Sequence, residues 1–143
     1  MQNPRDTSAS KQAKSDRAGR FPIHYAVLEN DLSLLKELIE AGADVNASDK
    51  NGFTPLHFAA QNNDVRMADY LISQGAALES KDSFGNTPLA KAVFYSGGDG
   101  RLIKTLRKAG ANPLSKNTSG VTPVSLARTI ANFDVAQFFA DLP

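Results

Sequence analysis

A proline recurs along the chain at nearly constant spacing. It stands at Pro22, Pro55, Pro88 and Pro123, so the intervals are 33, 33 and 35 residues. A glycine precedes each proline by three residues, and a Gly-Ala pair follows each of the first three prolines before the next one is reached. Self-similarity at a fixed period of a few tens of residues is typical of proteins built from stacked structural repeats. The chain is therefore predicted to form a row of units, each packed against its neighbours, rather than a globule around one central core.

The unit that contains Pro55 shows most clearly how each copy folds. Gly52 suits a tight turn, because glycine adopts a positive φ without steric cost. Thr54 and Pro55 are residues favoured at the start of a helix. Asp64 is placed to cap a second helix, which Gly75 then ends. Each unit is therefore predicted to be a pair of helices with one apolar face that only a neighbouring unit can bury.

The repeated motif, best represented by Thr-Pro-Leu-His at residues 54–57, resembles the ankyrin repeat at the period of that family. The resemblance implies an all-α ankyrin repeat solenoid of four helix-turn-helix repeats, joined by β-hairpin-like turns. The repeats are predicted at about residues 16–48, 49–81, 82–116 and 117–143. Residues 1–15 are rich in polar side chains and lack the period, so we predict that they form a disordered N-terminal tail.

Two units are lengthened between their helices. In the third unit residues 96–100 include three glycines, and in the fourth unit residues 129–133 extend the link. A glycine-rich loop is predicted to be either mobile or tightly turned. A mobile loop could close over a bound partner, whereas a neutral change of length is the alternative, because surface loops tolerate insertions well.

Composition excludes several classes of protein. The chain has no cysteine, so disulfide bonds and thiolate metal sites are excluded. No stretch approaches the 18 or so apolar residues of a membrane span, and no membrane partner is predicted. The N-terminus shows no apolar run typical of a signal peptide, so we expect a cytoplasmic protein. A mature form whose leader had been removed would look the same.

Charge is distributed unevenly, although the net charge is only +1. Acidic side chains exceed basic ones by six in residues 21–80, and basic side chains exceed acidic ones by six in residues 81–128. This polarity either steers a charged partner or reflects solvated helix faces. Lys104, Arg107 and Lys108 lie on one predicted outer helix without interleaved aromatic residues, so no nucleic-acid partner is predicted.

The sequence offers no catalytic or metal-binding constellation. His24 and His57 occupy the same place in the repeated motif, where an imidazole ties one turn to its neighbour through hydrogen bonds. Neither histidine has an acidic or thiol partner at metal-ligand spacing. Residues 97–100 lack the Lys-Ser/Thr pair of a phosphate-binding loop, and no acid–base pair or triad can be placed. We therefore predict a protein without enzymatic activity, cofactor or metal.

The resemblance implies that partners are held by the turns and by the exposed side of the first helix in each unit. Several large apolar side chains occupy such positions, where the fold does not require them, and exposed aromatic residues are common anchors of interfaces. The alternative is that some of them turn inward and pack between units. The predicted partner-binding residues are Lys50, Phe53, Asn62, Phe84, Asn86, Phe94, Tyr95 and Ile130.

The expected function is recognition of another protein without catalysis, by a chain that is monomeric on its own. The lengthened third unit and the ending at residues 129–135 resemble small bacterial ankyrin proteins that accompany secreted toxins as immunity proteins. That resemblance implies a stoichiometric inhibitor whose partner is a toxin or an enzyme. A general adaptor or scaffold protein is the alternative.

Overall fold

The computed structural model describes residues 14–143, which form seven α-helices and a final 3-10 helix and contain no β-strand. The all-α fold predicted from the repeats is confirmed. Most of the predicted tail, residues 1–13, lies outside the described residues. The helices are α1 (Pro22–Leu28), α2 (Leu32–Glu40), α3 (Pro55–Gln61), α4 (Val65–Ser73), α5 (Pro88–Tyr95), α6 (Arg101–Ala109), α7 (Pro123–Thr129) and the 3-10 helix (Val135–Phe139).

The helices pair and stack in the order of the chain. Helices α1, α3, α5 and α7 pack side by side in one layer, and each also packs against the helix that follows it. Ala59 and Ala60 are fully buried in α3, where small side chains allow the neighbouring helices to approach closely. Leu56, Leu71 and Leu89 belong to a single apolar cluster that runs through the successive repeats. The core is therefore elongated, as a repeat protein requires.

The first helix of each pair begins at the predicted residues. The side chains of Thr54, Thr87 and Thr122 accept hydrogen bonds from backbone amides in the first turn of α3, α5 and α7, and a proline follows each of them. Phe21 stands at this place in the first repeat and has no side-chain acceptor. Its own amide instead donates to Nδ1 of His24 at 2.9 Å. The caps explain why these seven- and eight-residue helices start where they do.

An acidic or amide side chain organises each turn between repeats, six residues before the proline. In the second repeat Oδ1 of Asp49 accepts from the amides of Asn51 and Phe53, both at 2.9 Å. Neighbouring turns are joined by backbone hydrogen bonds, such as Ser83 N to Asn51 O at 2.8 Å. At Gly52, with a φ of +78°, an added Cβ would lie 2.9 Å from the backbone of the next turn. The equivalent organising residues are Asp16, Asp82 and Asn117.

The lengthened loop of the third repeat, residues 96–100, is tightly turned and packed. A Cβ added to Gly98 would lie 2.8 Å from the ring of Phe133, and one added to Gly100 would overlap the ring of Phe138. Phe133 and Phe138 belong to the lengthened link and the 3-10 helix of the last repeat. The two insertions therefore pack against each other, which favours the tight turn over a mobile loop that closes on a partner.

Replacing Gly100 with alanine is expected to destabilise the fold by about 1 kcal/mol, because the new methyl group must displace the half-buried ring of Phe138. Gly100 has a φ of −86°, so backbone strain does not contribute. Chemical denaturation measures the change. In a Phe138→Ala background the cost of Gly100→Ala should largely disappear, and an undiminished cost there would contradict the packing explanation.

Candidate protein-binding groove

A groove of about 450 Å³ crosses the turns of the second to fourth repeats and is bordered by α5 and α7. We call it the central groove. Helix α5 supplies four of its residues, and the turns on either side supply most of the others. Five of the predicted partner-binding residues lie together in its wall: Phe53, Phe84, Asn86, Phe94 and Tyr95.

Three aromatic rings of the central groove are open to solvent. Phe84 and Phe94 are each 64% exposed, and Tyr95 is 45% exposed. The rings of Phe94 and Tyr95 meet edge to face, with their centroids 4.9 Å apart. Neighbouring exposed rings of this size are uncommon on a monomeric protein surface and provide apolar area for a partner.

Phe53 is less exposed than the sequence predicts. Its ring is only partly exposed and packs edge to face against the buried ring of Phe58, with centroids 5.5 Å apart. It also lies 5.9 Å from the ring of His57. The alternative weighed in the sequence, an aromatic side chain that turns inward, therefore holds at this position. Phe53 forms the wall of the central groove at the second repeat and leaves less of its area free for a partner.

Lys91 is the residue of this site that the sequence prediction missed. It is only 9% exposed, and its Nζ lies 3.9 Å from the ring centroid of Phe53 and 5.6 Å from that of Tyr95. Burial lowers the pKa of the Lys91 ammonium, while the carboxylates of Asp82 and Asp49 oppose this effect. The central groove therefore combines exposed aromatic rings with a lysine whose side chain is largely buried.

The repeat itself contains a signal that could have identified Lys91. The third residue after each motif proline is Tyr25 in the first repeat, Phe58 in the second and Leu126 in the fourth. Lys91 is the charged exception in a set of otherwise aromatic or aliphatic residues. A charged side chain at a position that is apolar in the other repeats is costly to bury, so it indicates a local function.

Three predicted site residues lie outside the central groove. Lys50 is exposed in the turn of the second repeat, and its backbone amide donates to the carbonyl of Ala18 at 2.9 Å. Asn62 is exposed at the end of α3 and borders a separate surface cavity of about 600 Å³ together with Arg101. Ile130 follows α7 and packs half-buried against the core, so its expected exposure was wrong. The eight predicted residues therefore do not form one continuous site.

Both histidines join neighbouring repeats, as predicted. Nε2 of His57 donates to the carbonyl of Asn86 at 2.9 Å, while Nδ1 accepts from the amide of Thr54 at 3.1 Å. Nε2 of His24 lies 3.1 Å from the corresponding carbonyl of Phe53 in the second repeat and 2.9 Å from the carbonyl of Ala47 in its own repeat. Burial lowers the pKa of both imidazoles, so they are neutral near pH 7.

The same place in the motif is held by Ala90 in the third repeat and by Ser125 in the fourth. The hydroxyl of Ser125 bonds only within its own repeat, to Thr122. The joint between the third and fourth repeats therefore has no imidazole to link them. It uses a side-chain bond from Nδ2 of Asn117 to Oδ1 of Asn86, at 3.0 Å.

The basic side chains predicted to cluster on α6 are partly engaged within the chain. Arg107 donates through both terminal nitrogens to the carboxylate of Asp141, at 2.7 and 2.8 Å. Nζ of Lys104 lies 5.4 Å from the ring centroid of Phe138. Lys108 is exposed. Residues of the C-terminal segment thus engage Arg107 and Lys104, which leaves less positive charge on α6 free to bind a nucleic acid.

Residues 14–143 hold no group of three or more histidine and acidic side chains that could bind a metal ion. None of the helices in this range has the length and apolar character that crossing a bilayer requires.

The stacked helix pairs and hydrogen-bonded turns define a helical repeat protein. The family model for ankyrin repeats, in three copies, matches residues 23–117, and the chain belongs to the ankyrin repeat family. The matched range ends before α7, so the fourth helix pair lies outside it. No curated protein matches the chain. Ankyrin repeats are general protein–protein interaction modules, which assigns the chain to the class of protein-binding proteins.

Proposed function

We propose that the chain is a non-catalytic recognition protein that binds one partner protein through the central groove and inhibits it by covering its surface. The observation that carries the proposal is the exposure of Phe84, Phe94 and Tyr95 around a single groove. The all-α repeat does not need apolar side chains at these positions, because its core is formed by other residues.

The composition of the central groove supports this proposal. Binding energy in protein interfaces is concentrated in a few aromatic and cationic side chains near the centre, surrounded by polar groups that exclude water. Here Phe94, Tyr95 and Lys91 lie close together, and Asn117 and Ser119 provide polar groups in the same wall. A groove of about 450 Å³ accommodates a few side chains of a partner rather than a whole domain. We therefore propose that a protruding loop or terminus of the partner inserts there.

An inhibitor and an adaptor differ in the complexes that they form. An inhibitor forms a one-to-one complex and abolishes the activity of its partner at equimolar concentration, whereas an adaptor holds two proteins at once. The resemblance of residues 96–100 and 129–135 to those of small bacterial immunity proteins supports the inhibitor. We propose the inhibitor for this reason, with a toxin or enzyme as the partner.

Parallel affinity captures from the native host test the proposal. The wild-type chain should retain a partner that a Phe84→Ala, Phe94→Ala, Tyr95→Ala triple variant loses, provided that both baits show the same helical circular dichroism. Titration of the purified partner should then end at a one-to-one ratio with its activity abolished. Retention by both baits would place the binding site elsewhere. An active partner in the saturated complex would refute inhibition and favour the adaptor.

A further inference from the structure

We propose that the central groove receives a carboxylate side chain of the partner protein and that Nζ of Lys91 is the group that binds it. This inference rests on the proposed protein-binding function and specifies the chemistry of the partner. It follows from three observations: an ammonium group in the groove wall with unused hydrogen-bond donors, acidic neighbours that form no ion pair with it, and an excess of basic side chains in residues 81–128.

The ammonium group of Lys91 makes no hydrogen bond and no ion pair with the side chains and backbone of residues 14–143. It contacts the faces of the Phe53 and Tyr95 rings, which attract a cation but leave its N–H donors without acceptors. Lys91 is more than nine-tenths buried and lines the central groove. Nζ is not among the fully buried polar atoms that lack a partner in residues 14–143, so it reaches solvent in the groove, where an acceptor from a partner can bind it.

The nearby carboxylates do not fill this role. Oδ1 of Asp82 accepts from the amides of Phe84 and Asn86, at 2.9 and 3.0 Å. Asp49 is bound in the same way by its own turn, and its Oδ2 accepts from Nε of Arg20 at 3.4 Å. Both carboxylates favour the charged form of Lys91 through space, while neither forms an ion pair with it. The donors of the ammonium are thus left for a group from outside the chain.

The surroundings favour a carboxylate over a phosphate group. The groove offers one ammonium and no arginine fork, and its wall includes the acidic Asp82, which opposes a doubly charged ligand. The exposed rings of Phe94 and Tyr95 provide apolar contacts for the aliphatic part of a glutamate or aspartate. Residues 81–128 carry six more basic than acidic side chains, and this excess attracts an acidic segment towards this half of the chain.

A Lys91→Met variant separates this role from a structural one. Methionine keeps the unbranched apolar stem and removes a charge that has no ion pair in residues 14–143, so the variant should melt at the same temperature as the wild type or higher. Affinity for an acidic ligand should fall by about thirtyfold or more, because the carboxylate loses its charged partner in a desolvated site. Lys108→Met, which removes an exposed lysine on α6, is the matched control and should change neither quantity.

Selection from a library of random dodecapeptides displayed on phage tests the inference. Wild-type protein should enrich peptides that share an aspartate or glutamate at a fixed position, and synthetic copies of these peptides should bind Lys91→Met more weakly than wild type or Lys108→Met. Replacing the acidic residue of the peptide by its amide should weaken binding to wild type to the same degree and have little effect on Lys91→Met.

The other outcomes separate the inference from the proposed function. One such outcome is a set of enriched peptides that lack an acidic residue and yet bind Phe94→Ala more weakly than wild type. That result would contradict a carboxylate ligand and would still support the groove as the binding site. Peptides that bind Phe94→Ala and Lys91→Met as well as wild type, or no enrichment at all, would overturn both. Tighter binding of a fluorescent single-stranded oligonucleotide than of any peptide, lost in Lys91→Met, would replace the carboxylate by a phosphate ligand.

Discussion

Replacing His57 with alanine is expected to lower the free energy of unfolding by roughly 1–3 kcal/mol. The imidazole is fully buried, and its Nε2 supplies the hydrogen bond to the carbonyl of Asn86 in the next turn. Removing it leaves that carbonyl without this donor and the amide of Thr54 without the acceptor at Nδ1. Urea denaturation followed by circular dichroism measures the change. Ser125→Ala is the matched control, because Ser125 occupies the same place in the motif, is exposed and bonds only within its own repeat.

The same variant should also change how acid affects stability. Burial holds the pKa of His57 below its ordinary value of 6.5, so the unfolded chain binds a proton more readily than the folded one. The stability contributed by the neutral imidazole is present above pH 6.5 and is lost as the pH falls towards the folded pKa. Wild-type stability should therefore decline below pH 6.5 by up to about 1.4 kcal/mol per pH unit for each buried histidine. His57→Ala should show a shallower decline, with His24 still contributing, and equal slopes would contradict the assignment.

Truncating Phe94 or Tyr95 to alanine is expected to weaken partner binding by about 2 kcal/mol, or roughly thirtyfold. Both rings are largely exposed at the edge of the central groove, so their removal should change folding stability by less than this. Calorimetry with the captured partner measures the affinity, and thermal melting of each variant checks the fold. The loss should appear mainly as faster dissociation, since mutations within one interface change association rates less.

Leu114→Ala provides the control for these truncations. Leu114 is a large apolar residue that is 59% exposed and lies outside the central groove. Its removal should leave affinity unchanged, which separates a specific site from general surface stickiness. Unchanged affinity in Phe84, Phe94 and Tyr95 variants would instead place the interface elsewhere, with α6 and the exposed Lys108 as the next surface to test. Turnover of a substrate by the isolated chain would refute the non-catalytic proposal.

Local rules made the fold predictable from the sequence. Thr54 caps α3, Gly52 occupies a left-handed turn, and His57 bonds to the next turn, each in agreement with the motif. Such features depend on a few adjacent residues and recur at each period. The helix pairs and their starting residues are therefore predictable from the sequence alone.

The details of the site depend on contacts between repeats, which the motif does not specify. Phe53 turns inward because Phe58 and Lys91 offer its ring two favourable contacts, one of them from the following repeat. The loop at residues 96–100 is packed because Phe138 of the last repeat fills the space beside Gly100. A side chain on a turn can point to solvent or towards the core. The residue that favours one of these orientations lies about one repeat away in the sequence, so the motif does not predict it.

The missing imidazole link between the third and fourth repeats has a consequence for how binding acts on the whole solenoid. Ala90 has no side chain that can bond to the next turn. The fourth repeat is held to the third by apolar packing and by other hydrogen bonds: Asn117 to Asn86, Thr118 to Phe84 and Arg107 to Asp141. The central groove spans this joint, because residues of α5 and residues around α7 both line it. A partner bound there contacts both repeats at once and stabilises the folded array by mass action. A bound partner would thereby add contacts across the joint that lacks the imidazole link, and the fourth repeat would unfold less readily when the groove is occupied than when it is free.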